Sequence, residues 1–400
     1  MSKKLVQINV VCNGSTGRIM NQISDKAIEQ GWKVYNFYGR GKAANTNCIK
    51  IGKKIDILFH VLLTRIFDKT GYGSKRATKR MIRQIKSIDP DVIQLHNIHG
   101  YYLNLKILFK YLKECNKKIV WTLHDCWAFT GHCTYFTCPK CDKWKSGCKG
   151  KCIRRKDYPS SIFRSNAEKN YKLKKELFLG IDNLTIVTPS KWLEQLVRQS
   201  FLGEYNVKVI NNGIDLNIFK PTYTVDIRKK YNIPVDKKII LGVAAIWDKR
   251  KGLDDFIKLS EYLEKEYVIL LVGLNKKQIK QLPNNIIGID RTENVEELAN
   301  LYTQVDVLFN PSREETFSMV TAEAIACGTP AVVCNLTAIG ELIQENLGYK
   351  FNEFDGYKIR EYIDNLNKEK NTLKLKLIEC AKEKYNLEKM TTNYLNIYNE

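Results

Sequence analysis

The sequence predicts an α/β protein of two domains, each built on a parallel sheet. Its 400 residues are enough for two separate hydrophobic cores. Short apolar runs alternate with helical stretches through most of the chain, which is the rhythm of parallel strands joined by crossover helices. One late stretch spells out a complete unit. Val305 to Phe309 reads as a buried strand, Asn310 to Thr316 as a polar loop, Phe317 to Cys327 as a helix and Ala331 to Cys334 as the next strand. Gly328 suits the left-handed position that ends a helix, and Pro330 blocks its continuation.

The first domain is expected over residues 1–202, the second over 203–384, and a last helix over 385–400 that returns to the first. Lys4 to Val11 opens the chain as a strand. The loop Cys12-Asn13-Gly14-Ser15-Thr16-Gly17-Arg18 follows, then a helix from about Ile19 to Glu29. Gly14 and Gly17 would let backbone amides approach a phosphate or a sugar; the alternative is a plain strand-to-helix turn, since G-x-G-x-x-G is absent. Trp32 to Tyr38 is a second strand. Ile55 to Phe67 is apolar but shorter than the roughly 20 residues that span a bilayer. A basic helix carrying Lys75, Arg76, Lys79, Arg80, Arg83 and Lys86 comes next. An apolar edge beside a cationic flank suits anionic lipid, against the reading of a core helix followed by a solvated one.

Asp91 to Asn97 and Lys118 to Leu123 are further strands. Asp89-Pro90-Asp91 precedes its strand, so it reads as a turn and not as a metal-binding D-x-D. Four of the five histidines, His96, His99, His124 and His132, fall at or just after two successive strand ends. Ligands bind beyond such ends, which marks these histidines, with Asn97, as a candidate site. Ser160 to Ile181 is expected as a long polar helix, Leu184 to Val187 as a strand, and Leu193 to Leu202 as the helix closing the domain. In the second domain, strands are expected at Ile239 to Ala245, Tyr267 to Val272, Ile286 to Ile289, Val305 to Phe309 and Ala331 to Val333, and the chain closes on an amphipathic helix from Leu387 to Tyr398.

The segment 126–156 is rich in cysteine, spaced C-x4-C-x2-C-x6-C-x3-C from Cys133 to Cys152. Cys138-Pro139-Lys140-Cys141 has the form of a zinc knuckle, and Cys133, Cys141, Cys148 and Cys152 are the preferred tetrahedral set for a structural zinc. Free thiols or adventitious disulfides are the alternatives. Met1-Ser2-Lys3-Lys4 leads straight into a strand, so the expectation is a cytoplasmic chain with reduced thiols rather than a disulfide scaffold. Charge is uneven. Residues 1–202 hold 38 Lys and Arg against 14 Asp and Glu, while the remainder is nearly neutral. Such asymmetry implies an anionic partner for the first domain, an inner membrane face or nucleic acid. Nucleic acid is disfavoured because no aromatic platform interleaves the basic residues and no recognition motif appears.

Glu315 and Glu323 have seven residues between them, inside Pro311-Ser312-x-x-Glu315 and Glu323-Ala324-x-Ala326-x-Gly328-x-Pro330. This resembles the E-x7-E element of GT-B glycosyltransferases of family 4. The likeness extends over nearly the whole chain: Val187-Thr188-Pro189-Ser190-Lys191-Trp192, Ile210-Asn211-Asn212-Gly213-Ile214-Asp215, and Glu293 to Pro311. The runs from His96 to Tyr102 and from His124 to Gly131, with the cysteine segment, resemble a narrower branch associated with exopolysaccharide, including colanic acid, assembly.

The resemblance implies a GT-B fold of two facing Rossmann-like domains and a retaining transferase using a UDP- or GDP-sugar without a catalytic metal. It implies an acceptor that is a glycan or a polyprenyl-diphosphate-linked glycan. By position in the motifs, Glu323 would hold the donor ribose, and Glu315 the donor sugar with the amides of Phe317, Ser318 and Met319. Lys251 would contact the diphosphate. His124 would approach the sugar, Gly14 and Gly17 would close on the donor, and the base would lie near Ile289 to Arg291. His96, Asn97 and His99 fall to the acceptor side. The family's Arg five residues before this Lys is replaced by Ile246, leaving Lys249, Arg250 or Arg18 to substitute. A sugar-nucleotide epimerase or a non-catalytic binding protein of the same fold, and more remotely a basic zinc module for nucleic acid, are the competing readings.

Overall fold

A computed structural model describes residues 2–138, 140–366 and 370–400. The chain forms two compact units, Met1–Ile210 with Met390–Glu400, and Asn211–Lys389.

The first unit runs β1 (Lys4–Val11), α1 (Gly14–Glu29), β2 (Lys33–Arg40), β3 (Cys48–Lys50), α2 (Lys54–Phe67), α3 (Lys75–Ile88), β4 (Val92–Leu95), α4 (Leu105–Glu114), β5 (Lys118–Thr122), α5 (Ala167–Phe178), β6 (Leu184–Thr188), α6 (Lys191–Arg198) and β7 (Asn206–Val209). The second runs α7 (Ile227–Lys230), β8 (Lys238–Val243), α8 (Leu253–Tyr262), β9 (Tyr267–Val272), α9 (Lys276–Ile279), β10 (Ile286–Ile289), α10 (Val295–Gln304), β11 (Val307–Asn310), α11 (Met319–Ala326), β12 (Ala331–Cys334), β13 (Gly348–Phe351), α12 (Gly356–Asn365) and α13 (Lys370–Lys384). The last helix, α14 (Leu387–Asn399), belongs to the first unit from Met390 onward.

The first sheet has seven strands in the order β3-β2-β1-β4-β5-β6-β7, and the second has six in the order β10-β9-β8-β11-β12-β13. Every adjacent pair is parallel. Strand order therefore reverses between β1 and β4 and again between β8 and β11. Loops on the two sides of such a reversal splay apart and leave a crevice at the strands' carboxyl ends. The central strands are buried on both faces, as in β4 and β12, because helices cover the sheet above and below. Helix α14 docks along β4 and β5 by polar ties: Thr122 Oγ1 meets Tyr394 Oη at 3.1 Å, Lys118 Nζ donates to the Ile397 carbonyl at 3.1 Å, and Tyr398 donates to Gln94.

Several elements differ from the sequence reading. Helix α1 starts at Gly14, five residues before the expected Ile19, so the glycines are its first turn and not a loop. Gly17 lies so close to β1 that a Cβ would sit 2.4 Å from the Cys12 carbonyl carbon; only a bare α-carbon lets the helix begin there. Residues 160–166 are irregular and α5 begins only at Ala167, because the Ile162 amide is taken by the Arg65 carbonyl at 2.8 Å. Cys12 and Cys48 form a disulfide between the end of β1 and β3, against the expectation of twelve reduced thiols.

Helix α2 buries polar groups. His60 Nε2 accepts the Gly71 amide at 2.9 Å, so the proton must sit on Nδ1, which meets Ser74 Oγ at 3.0 Å. Burial lowers the imidazole's pKa to about 4. Its stabilising contribution is thus complete above the unfolded value near 6.5 and is lost as pH falls toward 4. At pH 5 the loss should be about 2 kcal/mol. We expect His60→Gln to flatten the fall in unfolding free energy between pH 6.5 and 5 by about that amount, measured by urea titration; an unchanged pH slope would contradict the assignment.

Candidate functional site

The first unit gathers its candidate residues where β1, β4 and β5 end. Asn9, near the end of β1, ties three elements together. Its Oδ1 accepts the amides of Val10 at 2.8 Å and Asn97 at 3.3 Å, and its Nδ2 donates to Thr16 of α1 at 3.2 Å. The stretch after β4 is thereby held against the first turn of α1, placing His96, Asn97, Gly14 and Gly17 in one neighbourhood.

Beneath them lies a buried polar chain. Gln7 Nε2 donates to the Met20 carbonyl at 2.9 Å and lies 2.7 Å from Ser24 Oγ. A carbonyl can only accept, so the amide nitrogen is fixed on that side, and Gln7 Oε1 faces His96 Nε2 at 3.0 Å. His96 must then carry its proton on Nε2. Burial, reinforced by the neighbouring His124, holds its pKa well below the usual value, so the ring is neutral and Nδ1 is an acceptor. His124 Nε2 lies 3.1 Å from that Nδ1, with the two rings stacked 5.4 Å apart. His124 therefore donates from Nε2. Burial lowers its pKa to about 4, which leaves Nδ1 as an acceptor nitrogen at the end of β5. A neutral imidazole with that tautomer accepts a hydroxyl proton; it does not deliver a cationic charge.

His99 pairs instead with Asp125, Nε2 to Oδ2 at 2.8 Å, and the Trp127 amide donates to Asp125 Oδ1 at 2.9 Å. Burial pushes the Asp125 carboxyl up, but His99, its hydrogen bond and the Trp127 amide outweigh it and hold the pKa below the ordinary value. His99 Nδ1 is buried with no hydrogen-bond partner among the described residues, and the ring packs against Trp127 and Tyr158. The fourth clustered histidine, His132, goes elsewhere: its Nδ1 meets Asp68 at 2.6 Å, and Asp68 also accepts the Asn166 amide at 2.8 Å.

The cysteine segment is the candidate for a structural zinc. Among the described residues no three His, Cys, Asp or Glu side chains are arranged to hold a metal ion. Cys133 and Cys152 hydrogen-bond to each other, and Cys148 Sγ accepts the Gly131 amide at 3.1 Å. Cys133, Cys148 and Cys152 lie close enough to influence one another's ionisation, as do Cys148 and Cys141, while His132 is turned to Asp68; Pro139 of the expected knuckle lies outside the described residues. The segment also packs around a buried lysine, whose pKa burial lowers to about 7. Lys174 Nζ donates to the carbonyls of Trp127 at 2.6 Å and Thr130 at 3.0 Å, and it sits 3.4 Å from the Trp127 ring centroid.

In the second unit the loops after β8, β11 and β12 converge. Lys251 pairs with Glu315. The Glu315 amide donates to Thr337 Oγ1 at 3.1 Å, and the Arg313 amide donates to the Arg250 carbonyl at 2.9 Å. Arg313 Nη2 adds an ion pair with Asp255 of α8, shared between Oδ2 at 3.0 Å and Oδ1 at 3.1 Å. The glutamate loop is thus fixed from three sides. Ser318 caps α11 with φ 104°, a value that L residues rarely adopt, and Asn310 braces it by donating to Ser318 and Thr321, each at 3.1 Å. Strained backbone of this kind clusters at ligand-binding turns. The amides that open α11 include Met319; Phe317 is packed in the core.

Glu323 lies on α11, only 4% exposed, and accepts a hydrogen bond from Tyr302 at 3.1 Å. A carboxylate rarely sits this deep unless its lone pairs are used. Three predicted donor residues are less engaged. Arg250 is paired with Asp248, Lys249 is exposed, and Arg291 is exposed past β10, with β9 between that strand and β8. The sequence reading missed Gln7, Asn9, Asp125, Thr337 and Asp255. Asp125 stands directly after His124 and was open to notice; the others carry no local signal.

Two parallel sheets with a site at each order reversal and a paired glutamate loop define the GT-B class of glycosyltransferase. The family model for Glycosyltransferase Family 4 matches residues 16–218, and that for glycosyl transferases group 1 matches residues 237–367. The chain belongs to Glycosyltransferase Family 4 and is a transferase enzyme. It is 25% identical over 384 residues to the putative colanic acid biosynthesis glycosyl transferase WcaC of Escherichia coli K12, covering 87% of each chain. It is 28% identical over 206 residues to the O-antigen biosynthesis glycosyltransferase WclY of Escherichia coli, covering 50% of this chain and 57% of the relative. Among solved structures it resembles the sucrose-phosphate synthase of Thermosynechococcus elongatus, with a TM-score of 0.71 at 17% identity over 99% of this chain and 98% of the other. Anabaena Alr3699/HepE in complex with UDP gives a TM-score of 0.66 at 14% identity over 99% of both chains.

The proton order along Gln7, His96 and His124 is directly measurable. Nitrogen-15 NMR of labelled imidazoles should place the His124 proton on Nε2. Gln7→Leu removes the acceptor that sets this order, so His124 should become a mixture of tautomers and stability should fall by about 1–3 kcal/mol. A native His124 protonated on Nδ1, or a tautomer unmoved in Gln7→Leu, would contradict the chain.

Proposed function

We propose that the protein is a retaining glycosyltransferase. It moves a sugar from a UDP- or GDP-sugar to a glycan or a polyprenyl-diphosphate-linked glycan, in exopolysaccharide or related cell-surface polysaccharide synthesis. The observation that carries this reading is the Lys251–Glu315 ion pair at the β8/β11 reversal, inside the E-x7-E element. The likeness to relatives named for colanic acid and O-antigen synthesis supports the pathway class.

In this reading Glu323 takes the ribose hydroxyls, for which a carboxylate is a strong bidentate acceptor. Lys251, aided by Lys249, takes the diphosphate, and the amides at the start of α11 add dipole to the same charge. With a second anion on Lys251, Glu315 turns to the hydroxyls of the donor sugar. The bond from the anomeric carbon to the diphosphate oxygen breaks as the acceptor oxygen bonds on the same face. A donor phosphate oxygen takes the acceptor's proton. The leaving charge is met by cationic side chains and amides, so the step as drawn calls on no metal. Arg291 and the residues just before it are assigned to the base. On the first unit, His124 accepts from a hydroxyl through Nδ1, and His96, Asn97 and His99 shape the acceptor side. The strongly basic first unit is assigned to an anionic membrane surface, placing the enzyme in the cytoplasm at the inner face of the membrane. No helix among the described residues is long and apolar enough to cross a bilayer.

Glu315→Ala should lower sugar transfer about 100-fold or more while the melting temperature stays close to native. The check is nucleotide release from a panel of UDP- and GDP-sugars, together with the anomeric configuration of the product by NMR. Full activity in the variant, or an inverted product, would overturn the mechanism. Conversion of the donor to its epimer without transfer would favour the epimerase reading.

A further inference from the structure

Helix α2 is amphipathic the wrong way round. Its buried positions are His60 and Thr64, whereas Ile55, Leu58, Phe59 and Leu62 are 72%, 70%, 58% and 53% exposed. Spacing of three, four and seven residues puts these four on one stripe of the helix. A helix folded against a core would turn this stripe inward. Here the inward side is taken by the hydrogen bonds of His60 to Ser74 and Gly71 and of Thr64 to the His60 carbonyl, so the reversed orientation is built in.

The apolar stripe continues onto a neighbouring loop. The Ile162 amide is held by the Arg65 carbonyl at 2.8 Å, and Arg65 donates to Ser160 at 3.0 Å. This fixes Ile162 and Phe163 beside the end of α2, 52% and 70% exposed. Between α2 and the start of α3 an open groove of about 660 Å³ is lined by Ile55, Phe59, Leu63 and Tyr72 on one side and Lys75 and Arg76 on the other. The border is cationic: Lys53, Lys54, Lys69, Lys75, Arg76 and Arg164 are all exposed, while Asp56 is half-buried and occupied in capping the helix.

We infer that this face, α2 with the 162–163 finger, is the surface by which the protein docks on a bilayer containing anionic lipid. Leu58, Phe59, Leu62 and Phe163 enter the acyl boundary, and the groove beside Lys75 and Arg76 receives a phosphate-bearing headgroup. The charge pattern selects the occupant. A bilayer supplies apolar depth and a negative surface together, and long lysine and arginine side chains reach the headgroups while their stems lie on apolar ground. A second copy of the same face would bring apolar side chains but also a second ring of cations, and like charges repel across such a contact. This sharpens the membrane assignment made above to a named surface, and it stands apart from glycosyl transfer because the test reads binding alone.

The test is co-sedimentation of the full chain with vesicles of phosphatidylcholine alone or with phosphatidylglycerol added. Binding is expected to the anionic vesicles only and to weaken at high salt. The triple variant Leu58→Ser, Phe59→Ser, Leu62→Ser should lower the bound fraction about tenfold with an unchanged circular dichroism spectrum. Lys75→Glu with Arg76→Glu should lower it as well, which separates lipid docking from any effect of the serines on folding. At matched ionic strength, inorganic phosphate should displace the protein no more than sodium chloride does if a bilayer is the occupant. The inference is overturned if the serine variant still binds like the native chain, if phosphate releases it more than sodium chloride of the same ionic strength, or if the native chain binds no vesicle and sediments as a dimer that the serine variant dissolves.

Discussion

Every strand pair in both sheets is parallel, and much of the molecule follows from that one constraint. A parallel strand cannot return to its neighbour by a tight turn; it needs a crossover, which buries both sheet faces under helices and sends all strand-to-helix loops to one edge. Chemistry is then confined to that edge. The reversals at β1/β4 and β8/β11 open it in each unit, and the polar residues that the strands themselves exclude collect there.

Loops that must hold a site need ties that loops ordinarily lack. Each unit supplies them from buried side chains. In the first, Asn9 and Gln7 are polar residues inside an otherwise apolar strand, and each spends its hydrogen bonds on elements to either side. Gln7 also sets which nitrogen of His96, and so of His124, holds a proton. In the second, Thr337, Arg250 and Asp255 grip the loop that carries Glu315. Partners buried this way are costly to lose, since removing one leaves another unsatisfied away from water.

What the sequence made legible and what it hid divide along the same physics. The central strand Tyr267–Val272 read correctly to the residue, because a strand covered on both faces is a plain apolar run. The edge strands Cys48–Lys50 and Gly348–Phe351 passed unnoticed, being short and half exposed. The clustering of His96, His99 and His124 at strand ends was readable. Their partners were not, because Gln7 meets His96 across two strands and 89 residues. Gly14 and Gly17 suggested a loop, since close packing against Cys12 leaves no mark in local composition. The cysteine spacing proposed four ligands, but spacing alone did not show that Cys133 and Cys152 hydrogen-bond to each other. The apolar character of α2 was plain in the sequence; that its apolar face looks outward was settled only by the burial of His60 and Thr64.

The central claim is that a nucleoside-diphosphate sugar is held in the second unit by Glu323, Lys251 and Glu315. A crystal structure of the protein grown with UDP or GDP tests it most directly. The ribose hydroxyls should lie within hydrogen-bond distance of the Glu323 carboxylate, with the diphosphate against Lys251 and the opening turn of α11. A nucleotide bound elsewhere, or one that leaves Glu323 on Tyr302 and Lys251 on Glu315 unchanged, would contradict the account.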